Sequence, residues 1–307
     1  MPGGPDISIV IPTRRRPASL ARAVRSVFAQ EGVDVRRLEL VVVDNDADAG
    51  SKPVAEALAA EAPFPMRYVC EPIPGVATAR NTAVATAAGA MIAFLDDDEE
   101  ASLGWLAALL QAQAQFRADV VFGRVRGFAP DGVRDHRDYL VRFFSREGPA
   151  EAQLLDSHFG CGDSLVVRSS LPPRPEPFSL AQNHIGGEDD MLFEEMRTAG
   201  ARFAWAPEAW VWEHPDPDRL TLRYALRRAF AYGQGPSYAC MNKSPPDPLG
   251  VARWMTVGAA QAAVFGALAG LKWLARTPDR AFTLDLAVRG LGKLLWFPWF
   301  QSKFYGL

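Results

Sequence analysis

Short apolar, β-branched runs recur through the first half of the chain, at Ile7 to Ile11, Leu38 to Val43, Arg67 to Cys70 and Met91 to Leu95. Between them the spacing of apolar positions lengthens from strand-like to helical. Leu20, Val24, Val27 and Phe28 fall on one helical face, with Arg22 and Arg25 on another. Val76 to Ala88 reads as an Ala-rich helix closed by Gly89, and Leu103, Leu106, Leu109 and Leu110 stripe a third helix. Such alternation predicts βαβ units, hence an α/β fold with a largely parallel central sheet flanked by helices. Further on, strand-like Val120 to Val125 and Leu165 to Val167 are separated by a long polar stretch, and Pro172 to Pro177 must be loop. Long loops at this point can fold over a ligand.

The pattern changes again near the end. Trp254 to Leu274 is almost free of charge but is rich in Ala and Gly, with Thr256, Gln261 and Lys272 inside it, so it is a marginal membrane span. Phe282 to Leu307 mixes Trp296, Phe297, Trp299, Phe300, Phe304 and Tyr305 with basic residues, as a segment lying on anionic lipid would. The alternative is a buried helical hairpin. Residues 1–240 are thus expected to form the main α/β domain, and residues 241–307 a helical, membrane-associated tail.

Composition adds limits. A chain of 307 residues, 49% hydrophobic and 22% charged, is long and apolar enough to bury a sizeable core. Its net charge of -3 hides a basic tail, because Arg253, Lys272, Arg276, Arg280, Arg289, Lys293 and Lys303 face only Asp279 and Asp285 after Val251. The remaining acidic part does not suggest nucleic acid as a partner. Cys70, Cys161 and Cys240 stand singly, which indicates neither a zinc site nor a disulfide framework and suits a reducing cytosol. Met1 to Asp6 has no basic start before an apolar core, so the expected location is the cytoplasmic face of the membrane.

The chemistry concentrates in two acidic runs. Asp96, Asp97 and Asp98, followed by Glu99 and Glu100, stand where an apolar strand leaves the sheet, the place where open α/β sheets bind ligands. If the extended geometry persists, Asp96 and Asp98 point to one side. Carboxylates this close call for a hard divalent cation, Mg²⁺ or Mn²⁺, bridging a diphosphate. Acidic capping of the next helix accounts for Glu99 to Ser102 but leaves Asp96 and Asp97 unexplained. The second run is Glu188, Asp189 and Asp190, behind Gly186 and Gly187 at the start of a helix. A helix N-terminus lowers carboxylate pKa values and so suits a general base, although an ordinary helix start reads the same way.

Other residues fit a nucleoside diphosphate. Asp44 closes the second strand, where an acid meets a base or ribose. Pro12, Thr13 and Arg14 follow the first strand without the Gly-rich turn that a dinucleotide-binding fold requires. Arg80 in its helix is either a phosphate partner or a solvated surface residue. His214 is a candidate metal ligand or a packed imidazole. Trp205, Trp210 and Trp212 form either a sugar-stacking wall or aromatic core.

In order and spacing, "SIVIPTRRRPASLARAVRSVFAQ", "LELVVVDND", "EPIPGVATARNTAVATAAGAMIAFLDDDEE", "GCGDSLVVRSSL" and "GGEDDMLFEEMRTAGARFAWAPEAWVWEH" resemble the inverting glycosyltransferase family 2 with its GT-A fold. The resemblance covers about Ser8 to Gly235 and is nearest to bacterial exopolysaccharide enzymes of the succinoglycan glucosyltransferase type. It implies that Thr13 and Asp44 hold the nucleotide, that Asp96 and Asp98 form the DxD-type metal motif with Asp97 alongside, and that Asp189 is the base. Two departures from the family pattern are the third Asp of the first run and Asp190 beside Asp189. Processive members carry a QxxRW motif where this chain reads "LRRAFAYGQG", which implies transfer of a single sugar. The expected partners are a nucleoside-diphosphate sugar, a saccharide or lipid-linked acceptor and a membrane surface. The other classes that such acids allow are a nucleotidyltransferase acting on a sugar phosphate and a non-catalytic membrane-bound scaffold.

Overall fold

The computed structural model describes residues 5–183, 186–243 and 245–300. The described residues divide into two compact units, one of residues 5–127, 145–183 and 186–214, the other of 128–144, 215–243 and 245–300. The helical unit therefore takes in more chain than residues 241–307 alone.

In the first unit, strands β1 (Ile7–Thr13), β2 (Leu38–Asp44), β3 (Met66–Cys70) and β4 (Met91–Phe94) run parallel, in the order β3-β2-β1-β4. Helices α1 (Pro17–Phe28), α2 (Lys52–Glu61) and α3 (Val76–Thr86) connect them. Ile9 and Ile11 of β1 pack into one core and Val10 into another, and Leu40 and Val41 of β2 divide in the same way. Both faces are covered, which is why these strands read as continuous apolar runs. Leu20, Val24 and Val27 of α1 are fully buried, each contributing about 1.5–3 kcal/mol.

Beyond β4 the sheet turns mixed. After β5 (Glu99–Ala101) and α4 (Trp105–Phe116) come β6 (Val120–Gly127), β7 (Gln153–Leu155), β8 (Ser164–Val167), α6 (Glu188–Thr198) and β9 (Phe203–Glu213). Strand β8 runs antiparallel to both β4 and β6, and β9 runs parallel to β6. The parallel character expected of the whole sheet thus belongs chiefly to its first half. Two local expectations also shift. Leu103 lies outside α4 and is exposed. Gly89 does not close a helix by its conformation; a Cβ there would come within 2.6 Å of Ser8 N, so the residue lets the chain pass close to β1.

The second unit holds α5 (Arg137–Phe143), α7 (Leu222–Met241), α8 (Pro248–Leu274) and α9 (Arg280–Leu294). Its core gathers Ala129, Tyr139, Leu140, Phe144, Leu220, Ala225 and Ala281. Helix α9 lies between the other two long helices, with Gly292 against Phe230 and Gly233 of α7, and Gly290 against Gly258 and Ala262 of α8. Small residues let the backbones approach closely there. Tyr139 Oη donates to Asp285 Oδ1 at 2.9 Å, and Arg289 Nε donates to Asp285 Oδ2 at 2.6 Å, so the buried carboxylate is neutralised. Lys303, Phe304 and Tyr305 of the expected interfacial segment lie outside the described residues.

Candidate active site

Strand β4 ends at Phe94, and Asp96 to Asp98 occupy the turn before β5. The extended alternation expected of them does not persist, and the three carboxylates divide. Asp97 Oδ2 accepts from Thr13 Oγ1 at 2.7 Å. Arg16 Nη1 reaches Asp97 Oδ1 and Asp98 Oδ2, both at 3.1 Å. Asp96 Oδ1 instead lies 3.5 Å from Arg80 Nη2. Burial, together with the neighbouring Asp98, pushes the Asp97 carboxyl up to about 7 despite Arg16 and Thr13. Glu99 is not a helix cap: it is 4% exposed, and its Oε2 accepts from Asp96 N at 2.9 Å, fixing the turn.

Arg80 is neither solvated nor free for a phosphate. It is buried, its Nη1 donates to Glu188 Oε1, and Asp189 Oδ2 lies 3.8 Å from the same nitrogen. One guanidinium thus joins the two acidic runs. Helix α6 begins at Glu188 behind Gly186 and Gly187, whose φ values of 84° and 89° favour glycine. The expected lowering by the helix N-terminus fails at Glu188: burial pushes it up to about 7, with Arg80 opposing. Asp189 Oδ2 accepts from Cys161 N at 2.9 Å. Asp190 points elsewhere, is 71% exposed and lies 3.3 Å from His158 Nε2.

The loop Gly160 to Asp163 packs against both runs. A Cβ on Gly162 would meet Asp96 Oδ2 at 2.6 Å, so a larger residue there would push that carboxylate aside. Arg146 builds the loop, donating to Gly160 O at 2.9 Å, Gly162 O at 2.7 Å and Gly123 O at 3.0 Å. Asp163, fully buried, accepts from Trp105 Nε1 at 2.7 Å and is pushed up to about 7 by burial, against the pull of Arg146. Arg16, Arg146, Glu99 and Asp163 were not legible as site residues. The one signal for the loop was the "GCGD" string, in which two glycines flank a future donor N–H.

The remaining candidates fall into place around this centre. Asp44 Oδ2 accepts from Ser51 N and Tyr68 Oη, both at 2.9 Å, while its buried Oδ1 has no hydrogen-bond partner. Pro12 pairs with Val43 in the sheet, and Arg14 is half-buried with Nε unpartnered. His214 N donates to Asp98 O at 2.7 Å, and its Nε2 lies 2.9 Å from Glu100 Oε2. Burial, then Arg22, lowers its pKa, which favours a neutral imidazole. Trp205 is core, with Nε1 donating to Pro149 O. Trp210 and Trp212 meet edge to face at 5.8 Å and line a cavity of about 620 Å³ with Glu100 and Glu208. Among the described residues, no three His, Cys, Asp or Glu side chains converge as a ready-made metal cage. A cation that takes only one or two carboxylates and completes its shell with substrate phosphate and water still fits the crowded acids of the turn.

Known proteins resemble the chain over most of its length. Residues 8–171 match the family described as Glycosyl transferase family 2. The succinoglycan biosynthesis protein ExoM of Rhizobium meliloti is 33% identical over 236 residues, 74% of this chain and 73% of that protein. The pre-mycofactocin glycosyltransferase of Mycobacterium tuberculosis is 28% identical over 81% of this chain but only 51% of its own length, so the chain spans about half of that relative. Among solved structures, a mannosyltransferase from Pyrobaculum calidifontis, in complex with GDP-Man and Mn2+, superposes with a TM-score of 0.65 at 19% identity, covering 96% of this chain and 88% of that one. That likeness is one of fold, the GT-A arrangement of a curled mixed sheet with flanking helices.

Proposed function

The chain belongs to glycosyl transferase family 2, and we propose that it moves one sugar, with inversion, from a UDP-linked donor to a saccharide or lipid-linked acceptor in cell-surface polysaccharide synthesis. The observation that carries this reading is the convergence of Asp96, Glu188 and Asp189 on the single guanidinium of Arg80, although the two acidic runs lie far apart in sequence. Asp189 takes the proton from the acceptor hydroxyl. The freed oxygen attacks the anomeric carbon from the face opposite the diphosphate, whose bond electrons leave with the nucleoside diphosphate. Asp189 suits the role better than Asp190, because Cys161 N and Arg80 orient it while Asp190 is turned out to His158. Glu188 acts by holding Arg80, and Asp190 and Trp212 stand where the acceptor is received.

Thr13, Arg14, Pro12 and Asp44 line the ends of β1 and β2, where the nucleotide is taken, with Asp97 fixed beside them by Thr13. A divalent cation, Mg²⁺ or Mn²⁺, held through Asp98 and Asp96 with His214 alongside, would supply several kcal/mol of charge stabilisation to the leaving diphosphate. Residues 241–307 seat the enzyme on the cytoplasmic face of the membrane, supported by α8, the one helix among the described residues long and apolar enough to cross a bilayer.

The replacement Asp189→Asn tests the base. The variant should fold and bind UDP with metal, yet lose at least about a hundredfold in turnover, measured as UDP release with UDP-glucose, UDP-galactose or UDP-N-acetylglucosamine. Near-normal transfer would remove Asp189 from the role. Pyrophosphate released from UTP and a sugar 1-phosphate, with no UDP released from the UDP-sugars, would make the protein a nucleotidyltransferase.

A further inference from the structure

We infer that α8 lies in the plane of an anionic lipid surface, half-immersed along its outer face, and does not cross the bilayer; this deepens the membrane reading above and rests on it. The helix has 27 residues, and its most apolar window is only 11% buried. Val251, Gly258 and Ala269 mark the stripe that meets the rest of the unit, while Leu249, Val257, Val264, Leu268, Leu271 and Leu274 stand exposed. Eighteen uncharged residues separate Arg253 from Lys272, and a Trp stands just inside or beside each: Trp254 at one end and Trp273 at the other. Aromatic and basic residues at both ends are what an interface between lipid tails and headgroups selects.

The ends carry more of the same chemistry. Trp296 joins Val251 and Cys240 at the first end, and Trp299 follows it, 92% exposed. The Arg280 guanidinium lies over Trp273 at the second end, 5.0 Å from the ring centre. Residues 248–300 hold six basic side chains against two acidic ones, a balance that attracts anionic headgroups. That balance argues for lipid over a second copy of the chain, which would bring like charge to like.

Two observations argue against a span. Lys293 Nζ on α9 donates to Gln261 Oε1 at 3.0 Å, so an ammonium sits beside the midpoint of α8, where a span would place the hydrocarbon centre. The partner helix α9 has 15 residues, about 22 Å by helical rise, short of the roughly 30 Å hydrocarbon thickness. Lying flat, α8 sends its outer face into the acyl boundary and keeps Lys293, Arg289 and Asp285 above it.

Flotation of the full chain on phosphatidylcholine vesicles with and without phosphatidylglycerol tests the surface. Binding is expected to the anionic vesicles, to fall with salt, and to drop at least tenfold in the outer-face variant Val264→Glu/Leu271→Glu, which leaves donor hydrolysis in detergent unchanged. Equal binding to both vesicles would overturn the anionic preference. A site-specific protease sequence placed in the 275–279 turn separates the orientations in inverted membrane vesicles from expressing cells. Cleavage by added protease is the expected result. Protection of a membrane-bound chain would mean a span and overturn the in-plane seat while leaving the membrane reading intact. No binding to either vesicle, with self-association that the double variant abolishes, would assign the face to a second copy and remove both.

Discussion

Two arginines divide the carboxylates of the candidate active site, and they do so in opposite environments. Arg80 is 7% exposed in its side chain and is enclosed by Glu188, Asp96 and Asp189, with Cys161 N and the Gly162 backbone closing the space around them. Arg16 is 29% exposed and bridges Asp97 and Asp98 from the rim. A buried ion pair is costly to assemble and more costly to halve, whereas a rim pair is weak and exchangeable. Arg80 therefore belongs to the scaffold that holds the proposed base in place. The Arg16 side is where a substrate or cation can replace a protein contact.

The largest effect should come from halving the Arg80 group. Arg80→Met leaves Glu188 buried without its cation and should cost about 3–5 kcal/mol, read from the denaturation midpoint, together with transfer activity. Adding Glu188→Met should recover most of the stability and little of the activity, because the Asp189 orientation is not restored. A single Arg80→Met variant as stable as the parent would mean that the buried group is not an ion pair.

This asymmetry was beyond the reach of sequence. The first-half strands and helices were legible because burial on both faces leaves apolar runs and regular spacing. The acids at Asp96 and Asp189 were legible because turns and helix starts display them. What could not be read was pairing across the fold. Arg80 looked like one more helical arginine, since nothing near it in sequence announces Glu188. Arg146 serves the loop through backbone carbonyls, which leave no residue signature at all. In the mixed half of the sheet the apolar runs of β6 and β8 were legible but the antiparallel direction of β8 was not, and β7 and β5 have three residues each, too few to show a period. Among the tryptophans, Trp205 and Trp212 occur in one alternating strand, and only packing decides that the first is core.

A smaller effect follows from protonation. Glu188 and Asp163 have folded-state values of about 7, above the ordinary carboxylate range near 4. For such raised acids the folded state holds the proton more tightly than the unfolded one. Their contribution to stability is full below about pH 4 and is lost as pH rises through about 7. Melting temperature should therefore fall between pH 5 and pH 8 by several degrees. Glu188→Gln and Asp163→Asn should each flatten that fall; Asp163→Asn keeps an acceptor for Trp105 Nε1. A slope unchanged in both variants would place the titration elsewhere.

The smallest change should appear at the rim, in cation binding rather than stability. Arg16→Ala removes a partly solvated partner, so the folded state should lose no more than about 1 kcal/mol. It also removes a positive charge that competes with a divalent cation for Asp97 and Asp98. The half-saturating Mn²⁺ concentration, followed by calorimetry in the presence of UDP, should therefore fall several-fold. If it is unchanged, the cation does not draw on the carboxylates that Arg16 holds, and the metal role narrows to Asp96 on the buried side. If it rises, Arg16 binds the diphosphate directly, and the rim arginine is a donor-binding group as well as a counter-charge.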